Sequence, residues 1–287
     1  MPAALRRSVT IGSGASKLEV SPLCIGIVDD PDTVIAAWDL GVNFFFLTAD
    51  MHWPVYERLR EGLRRLAKAR PAALDEAVIA CTAYVAQPEF QRAPFTEALD
   101  AIKPFGKLDI LVAGGSYGPD VDKRLTVLKS NVAEKLVNAR AVGTSVHDRA
   151  AGVSVINQGT ADLAFVRYNA QHPGARLDLF PNLKPNRTTR IFNFKATYAY
   201  RGPSYFRGLG IDPELWMPEV TDYYRFVLCR PEVDGLLCAP KTPKELEGLI
   251  EAYHRGPLPA DEEDHLLGLA KMVLDDSNKK RDSAAGA

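Results

Sequence analysis

Short apolar runs alternate along this chain with longer segments in which apolar residues recur every three or four positions. The runs Leu23–Val28, Val42–Leu47, Ala77–Val85, Leu108–Ala113, Arg140–Val146, Leu163–Tyr168, Arg190–Thr197 and Val233–Ala239 read as strands. Their near-continuous apolar character marks strands covered on both faces. Between them, Val55–Ala69 carries Val55, Leu59, Leu63 and Leu66 on one stripe, the spacing of an amphipathic helix. Asp32–Leu40 reads as a helix with Asp30 or Asp32 as cap and Gly41 as stop. Helices are also predicted over Phe95–Ile102, around Leu125, Leu128, Val132 and Leu136, over Ala150–Gln158, and over Thr242–Tyr253. Strand–helix alternation argues parallel βαβ units, so the fold class is α/β. Eight such units in 287 residues predict a closed (β/α)8 TIM barrel. An open doubly wound sheet is the rival, and it usually has a glycine-rich turn after its first strand. Here that position reads Ile27-Val28-Asp29-Asp30-Pro31, which favours the barrel. The stretch Ser8–Val20, with Gly12 and Gly14 at its bend, predicts an N-terminal β-hairpin that caps the bottom of the barrel. The barrel domain is expected over 1–276, and the polar, small-residue segment 277–287 as a disordered tail.

Composition narrows the function classes. A net charge of −1 leaves no basic excess to neutralise phosphates, so no nucleic-acid partner is expected. No apolar stretch is long enough for a membrane span, and the N-terminus lacks the apolar core of a signal peptide. The four cysteines lie apart in apolar runs, the pattern of buried reduced thiols in a cytoplasmic protein rather than of a zinc site. The expected partner is a small-molecule substrate, and no oligomeric state is implied.

Several segments carry a family likeness. Val20–Ile27 follows the opening hairpin, and Gly41–Asp50 reads GVNFFFLTAD, a helix-ending Gly, an Asn, aromatics and a Thr-Ala-Asp run. Arg140–Val146 reads RAVGTSV, Arg167–Ala170 reads RYNA, and Arg225–Ala252 closes the series. In order and spacing these resemble an aldo-keto reductase over nearly the whole chain. The resemblance implies a barrel that binds NADPH and transfers hydride to an aldehyde or ketone. It implies a proton-donating Tyr tuned by a Lys and an Asp, and a His that orients the carbonyl. Aligning the Thr-Ala-Asp run puts Leu47 at the Asp position, His52 at the Tyr, Ala83 at the Lys and Gly114 at the His. All four are substituted, so the standard mechanism is not expected. For the cofactor, the resemblance implies Ser145 at the nicotinamide amide, Phe194 stacked on the ring, and Lys241 and Thr242 at the 2′-phosphate. It also puts Phe165 where the family has a Gln.

Function in such a barrel gathers where strands end. His52 is the leading catalytic candidate: a histidine with its ordinary pKa of about 6.5 serves as acid or base near neutrality. It reads equally as a hydrogen-bonded loop histidine. Asp50 either orients His52 or caps the following turn, and Trp53 either walls a pocket or staples the next helix. His172 is a candidate acid–base group or a loop brace. Arg167 either grips a carboxylate or phosphate or is simply paired. Arg58, Arg60, Arg64 and Arg65 with Glu57 and Glu61 read as a solvated, ion-paired helix face. Three functions stay open: an NADPH-linked oxidoreductase with a non-standard proton donor, a non-redox isomerase, lyase or tailoring enzyme, and a non-catalytic binding subunit.

Overall fold

In the computed structural model, which describes residues 2–285 apart from 119, 199 and 213, with the backbone alone over 280–285, the strands fall where the apolar runs predict them. They are β1 (Val9–Ile11), β2 (Leu18–Val20), β3 (Leu23–Ile25), β4 (Phe44–Thr48), β5 (Val78–Ala83), β6 (Ile110–Ser116), β7 (Ala141–Val146), β8 (Leu163–Arg167), β9 (Arg190–Phe194) and β10 (Gly235–Cys238). Strands β3 to β10 close a parallel barrel in sequence order, with β10 returning to β3. The barrel is therefore the predicted (β/α)8 architecture. β1 and β2 pair antiparallel as the predicted hairpin, and Gly12 and Gly14 both adopt positive φ at its bend. Arg190, at the start of β9, donates to Thr10 O at 2.8 Å, so the hairpin sits at the N-terminal end of the strands.

Inside the barrel, ring contacts show which side of each strand faces in. Phe44 on β4 meets Phe192 across the lumen at 5.2 Å, and Phe46 meets Phe165 at 5.0 Å. Side chains alternate along a strand, so Phe44, Phe46 and Thr48 point inward while Phe45 and Leu47 face the helices. Register carries the same side to the next strand: Phe46 opposes Ala80 and Thr48 opposes Thr82. Large inward rings are matched by missing side chains. A Cβ on Gly235 would lie 2.4 Å from the Phe192 ring, so this position admits only glycine.

Buried polar groups lock the barrel. Asn43 accepts from Ser21 N at 2.8 Å and donates to Glu19 O and Glu76 O, a structural corner. Gly41 ends the helix Asp32–Asp39 at φ 87, where a Cβ would strike Leu5 O. Arg60 corrects the expectation of a solvated face: it is 1% exposed, stacked 3.6 Å above the Trp53 ring and bonded to Trp53 O at 2.7 Å. Arg58 and Arg64 keep the expected surface pairs with Glu61 and Glu57. Helix Val220–Leu228 was not among the expected elements. The last helix spans Ala260–Ala285 and sets Leu269 and Val273 against Phe206. It thus continues through 277–285, where a disordered tail was expected; residues 286 and 287 lie outside the described set. Among the described residues no helix is long and apolar enough to cross a membrane.

Candidate functional site at the barrel mouth

The C-terminal ends of the strands open into a cavity of about 780 Å³. Its floor is the ring cluster of Phe46 and Phe165, and its walls carry Tyr56, Tyr84, Ser145, His147 and Phe194. The alternation argument explains this set, since Phe46, Ser145, Phe165 and Phe194 are inward positions of β4, β7, β8 and β9. Two of the five non-glycine residues with positive φ among the described residues, His52 (67°) and Lys195 (60°), also line the cavity. Left-handed backbone in such residues is sparsely populated and gathers at functional loops. Asn169 holds the second of them by donating to Lys195 O at 3.0 Å.

Of the predicted residues, His52, Ser145 and Phe194 reach this cavity together. The His52 ring meets Tyr84 edge-on at 5.8 Å. Ser145 Oγ accepts from Gly115 N at 3.2 Å, which leaves its own proton free to donate. Asp50 does not orient His52. Its carboxylate accepts from Met51 N at 2.6 Å, from Tyr84 N at 2.8 Å and from Val85 N at 3.1 Å, tying the loop after β4 to the loop after β5. Trp53 lies under Arg60, so it staples the helix Glu57–Ala69.

Arg167 and His172 meet in a second, smaller recess. Arg167 Nη2 lies 2.8 Å from His172 Nε2, and the Arg167 guanidinium is 5.5 Å from the Tyr198 ring. Lys241 and Thr242 stand beyond β10, away from the cavity lining. Lys241 is paired with Asp29 at 3.8 Å and its backbone N–H donates to Glu245. Thr242 caps the helix Pro243–Arg255 by accepting from Glu245 N.

Two of the four aligned positions, Leu47 and Ala83, need correction. Leu47 is fully buried on the outward side of β4, and Ala83 is likewise outward on β5. The residues that do face the mouth there are Phe46, Thr82 and, just past β5, Tyr84. Gly114 is in the lining as expected, and a Cβ on it would fall 2.5 Å from Thr82 Cγ2 and 3.0 Å from the Tyr84 ring. Thr48 and Thr82 hydroxyls are buried without a hydrogen-bond partner among the described residues.

Electrostatically the mouth is short of anions on its β7–β9 side. Burial pushes the His147 pKa down, helped by Lys195 and Arg167. His172 is lowered by burial, then by Arg167 and Lys195. Tyr84 is raised by burial, with Asp50 and Tyr117 adding to it. The sequence assigns no role to Tyr56, His147 or Lys195: His147 and Lys195 stand just past strand ends, and Tyr56 lies four residues past His52. No group of three metal-ligating side chains occurs among the described residues.

Solved structures described as aldo-keto reductases share this barrel. Two structures of a Pseudomonas aeruginosa protein described as an aldo-keto reductase share it at 18% identity. One covers 89% of this chain and 98% of that chain with a TM-score of 0.63. The other covers 88% and 96%, also at 0.63. The holo form of an aldo-keto reductase from Bacillus halodurans matches at 14% identity, covering 91% and 95%, with a TM-score of 0.67. The likeness establishes the shared barrel. No family model matches the chain, and no curated protein matches it by sequence.

Proposed function

We propose that this protein is an oxidoreductase of aldo-keto reductase type, which reduces a carbonyl compound in the barrel-mouth cavity with a proton donor outside the usual set. The observation that carries the reading is the convergence of Ser145 and Phe194 on one cavity. These are the hydroxyl and the aromatic face that a nicotinamide amide and ring need. The residues fit that half of the cofactor. Ser145 has a proton free for the amide, and the edge of Phe194 is braced by His147 at 5.7 Å. The 2′-phosphate end is less open: Lys241 is already paired with Asp29, and Thr242 and Glu245 are engaged in the helix cap. NADPH binding therefore requires Lys241 to exchange Asp29 for the phosphate, whereas NADH binding does not.

The nicotinamide supplies a hydride when bound. The chain's own part is to orient the carbonyl and deliver a proton. His52, on the cavity rim and backed by Tyr84, is the proton donor in this reading. The apolar floor of Phe46 and Phe165 keeps water from the reacting centre. Titration with NADH and NADPH, followed by nicotinamide fluorescence, tests the proposal. Saturable binding that weakens several-fold in Ser145→Ala is expected; no saturation with either nucleotide removes the oxidoreductase. His52→Gln is expected to lower kcat about 100-fold, the usual scale of general acid–base catalysis. An unchanged kcat removes His52 as donor.

A second reading has its own observation. The inward positions at the ends of β4 and β5 hold Thr48 and Thr82, neither an acid nor an amine. This favours a non-redox enzyme or a binding subunit on the same barrel. Ligand binding with no nucleotide binding would select it.

A further inference from the structure

The reduction proposed above leaves a positive cluster without a task. Arg167 closes β8 on the inward side, in register with Phe194. Its Nη2 donates to an imidazole nitrogen, His172 Nε2, rather than to a carboxylate. His172 Nδ1 lies 3.3 Å from Asn169 Oδ1, so the tautomer protonated at Nδ1 satisfies both contacts. Asn169 also accepts from His172 N at 2.9 Å, which fixes the ring's backbone. Arg167 Nε is buried with no hydrogen-bond partner. Arg149 nearby is neutralised by Asp178 at 2.6 Å, whereas no ion pair among the described residues includes Arg167 or Lys195. A half-buried guanidinium with its Nε shut away from solvent and no anion beside it is costly, and it is kept where an anion is to arrive.

There is room for one. A recess of about 80 Å³ is lined by Val146, His147, Arg149, Val166, Arg167 and His172. Water occupies about 30 Å³ per molecule, so the recess holds two or three waters or one small oxyanion group. His147 lines both this recess and the main cavity, so a ligand with its body in the main cavity can extend an acidic group past His147.

We infer that the recess between β7 and β8 is an oxyanion subsite, in which Arg167 grips a carboxylate or phosphate group of a ligand whose apolar body fills the main cavity. Arg167 supplies the charge, and His172, held by Asn169, sets the plane of the guanidinium. Lys195, exposed on the rim, adds long-range attraction. The subsite stands on this geometry. Only the naming of its ligand as the reducible substrate rests on the function proposed above.

Calorimetric titration with benzoate, inorganic phosphate and the neutral isostere benzamide tests it. Benzoate or phosphate is expected to bind at least tenfold more tightly than benzamide. Arg167→Met is expected to abolish that difference, and Arg167→Lys, which keeps the charge but not the fork, to restore part of it. Equal binding of benzoate and benzamide by the wild type overturns the inference, as does unchanged benzoate binding by Arg167→Met. Should Arg167→Met fail to fold, the wild type answers alone. NMR titration of the His172 ring must show its pKa rising when benzoate is bound, because the incoming charge opposes Arg167; no rise overturns the subsite. A competition arm identifies the source of the oxyanion. If benzoate and NADH bind together, the acidic group belongs to the substrate; if they exclude each other, it belongs to the nucleotide phosphates. Benzoate binding without any NADH binding would keep the subsite and remove the reductase.

Discussion

His52 owes its position to two residues that never touch the cavity. Asp50 clamps the loops after β4 and β5 through backbone N–H groups, and Arg60 stacks beneath Trp53 one residue past His52. Arg60→Met keeps the packing volume but loses the stacked cation and the bonds to Trp53 O and Glu57. A loss of about 2–4 kcal/mol is expected from these contacts, read as a lower urea midpoint at unchanged slope. Residues at this scale were only partly legible in the sequence. Ser145 and Phe194 follow from the family resemblance, and His52 from its place just past a strand end. Leu47 and Ala83 face away from the mouth, and FFFLT and VIACTA, buried at every position, show no alternation from which that facing could be read. Only the rings that meet across the lumen decide it. Arg60 misled for the opposite reason: its neighbours Arg58, Arg64 and Arg65 are true surface charges.

At the level of elements, the strands were legible and the helix contacts were not. Two-sided burial makes each strand a continuous apolar run, which periodicity finds without knowledge of partners. The contact between helices Asp32–Asp39 and Glu57–Ala69 instead depends on one absent side chain. A Cβ on Gly62 would lie 2.4 Å from Val34 Cγ2 and 2.6 Å from Pro31 O. Intrinsic helix propensity favours Ala over Gly by about 0.8–1 kcal/mol. Overpacking costs about 1–3 kcal/mol, so Gly62→Ala is expected to destabilise on balance. A rise in melting temperature for that variant would show that the two helices can move apart. The amphipathic helix Val220–Leu228 escaped the sequence reading because it lies between long connections and has no strand directly before it to frame it.

Across the whole molecule the net charge of −1 conceals an uneven distribution. Surface arginines are largely paired, while Arg167 and Lys195 leave the β7–β9 side of the mouth positive. This has a consequence for stability against pH. His147 and His172 have pKa values lowered below the ordinary histidine value of 6.5 in the folded protein. As pH falls through about 6.5 the unfolded chain takes up those protons first, so stability drops with acidification until the folded pKa values are reached. Urea denaturation between neutral pH and about pH 5 should show this slope, and it should flatten in a His147→Asn, His172→Gln double variant. An unchanged slope would mean that other groups dominate the acid limb. The barrel was readable from the chain as a whole because eight strand–helix units in this length admit little else. The oxyanion recess was not, because it needs β7, β8 and the loop after each to be brought side by side.

The glycine at 114 and the tyrosine at 84 occupy each other's space. Any side chain introduced at 114 meets the Thr82 methyl and the Tyr84 ring before it meets a ligand. An imidazole introduced at 114 would therefore crowd the mouth unless Thr82 and Tyr84 were replaced at the same time. Sterics thus tie position 114 to Thr82 and Tyr84, so that a side chain there calls for coordinated change at all three.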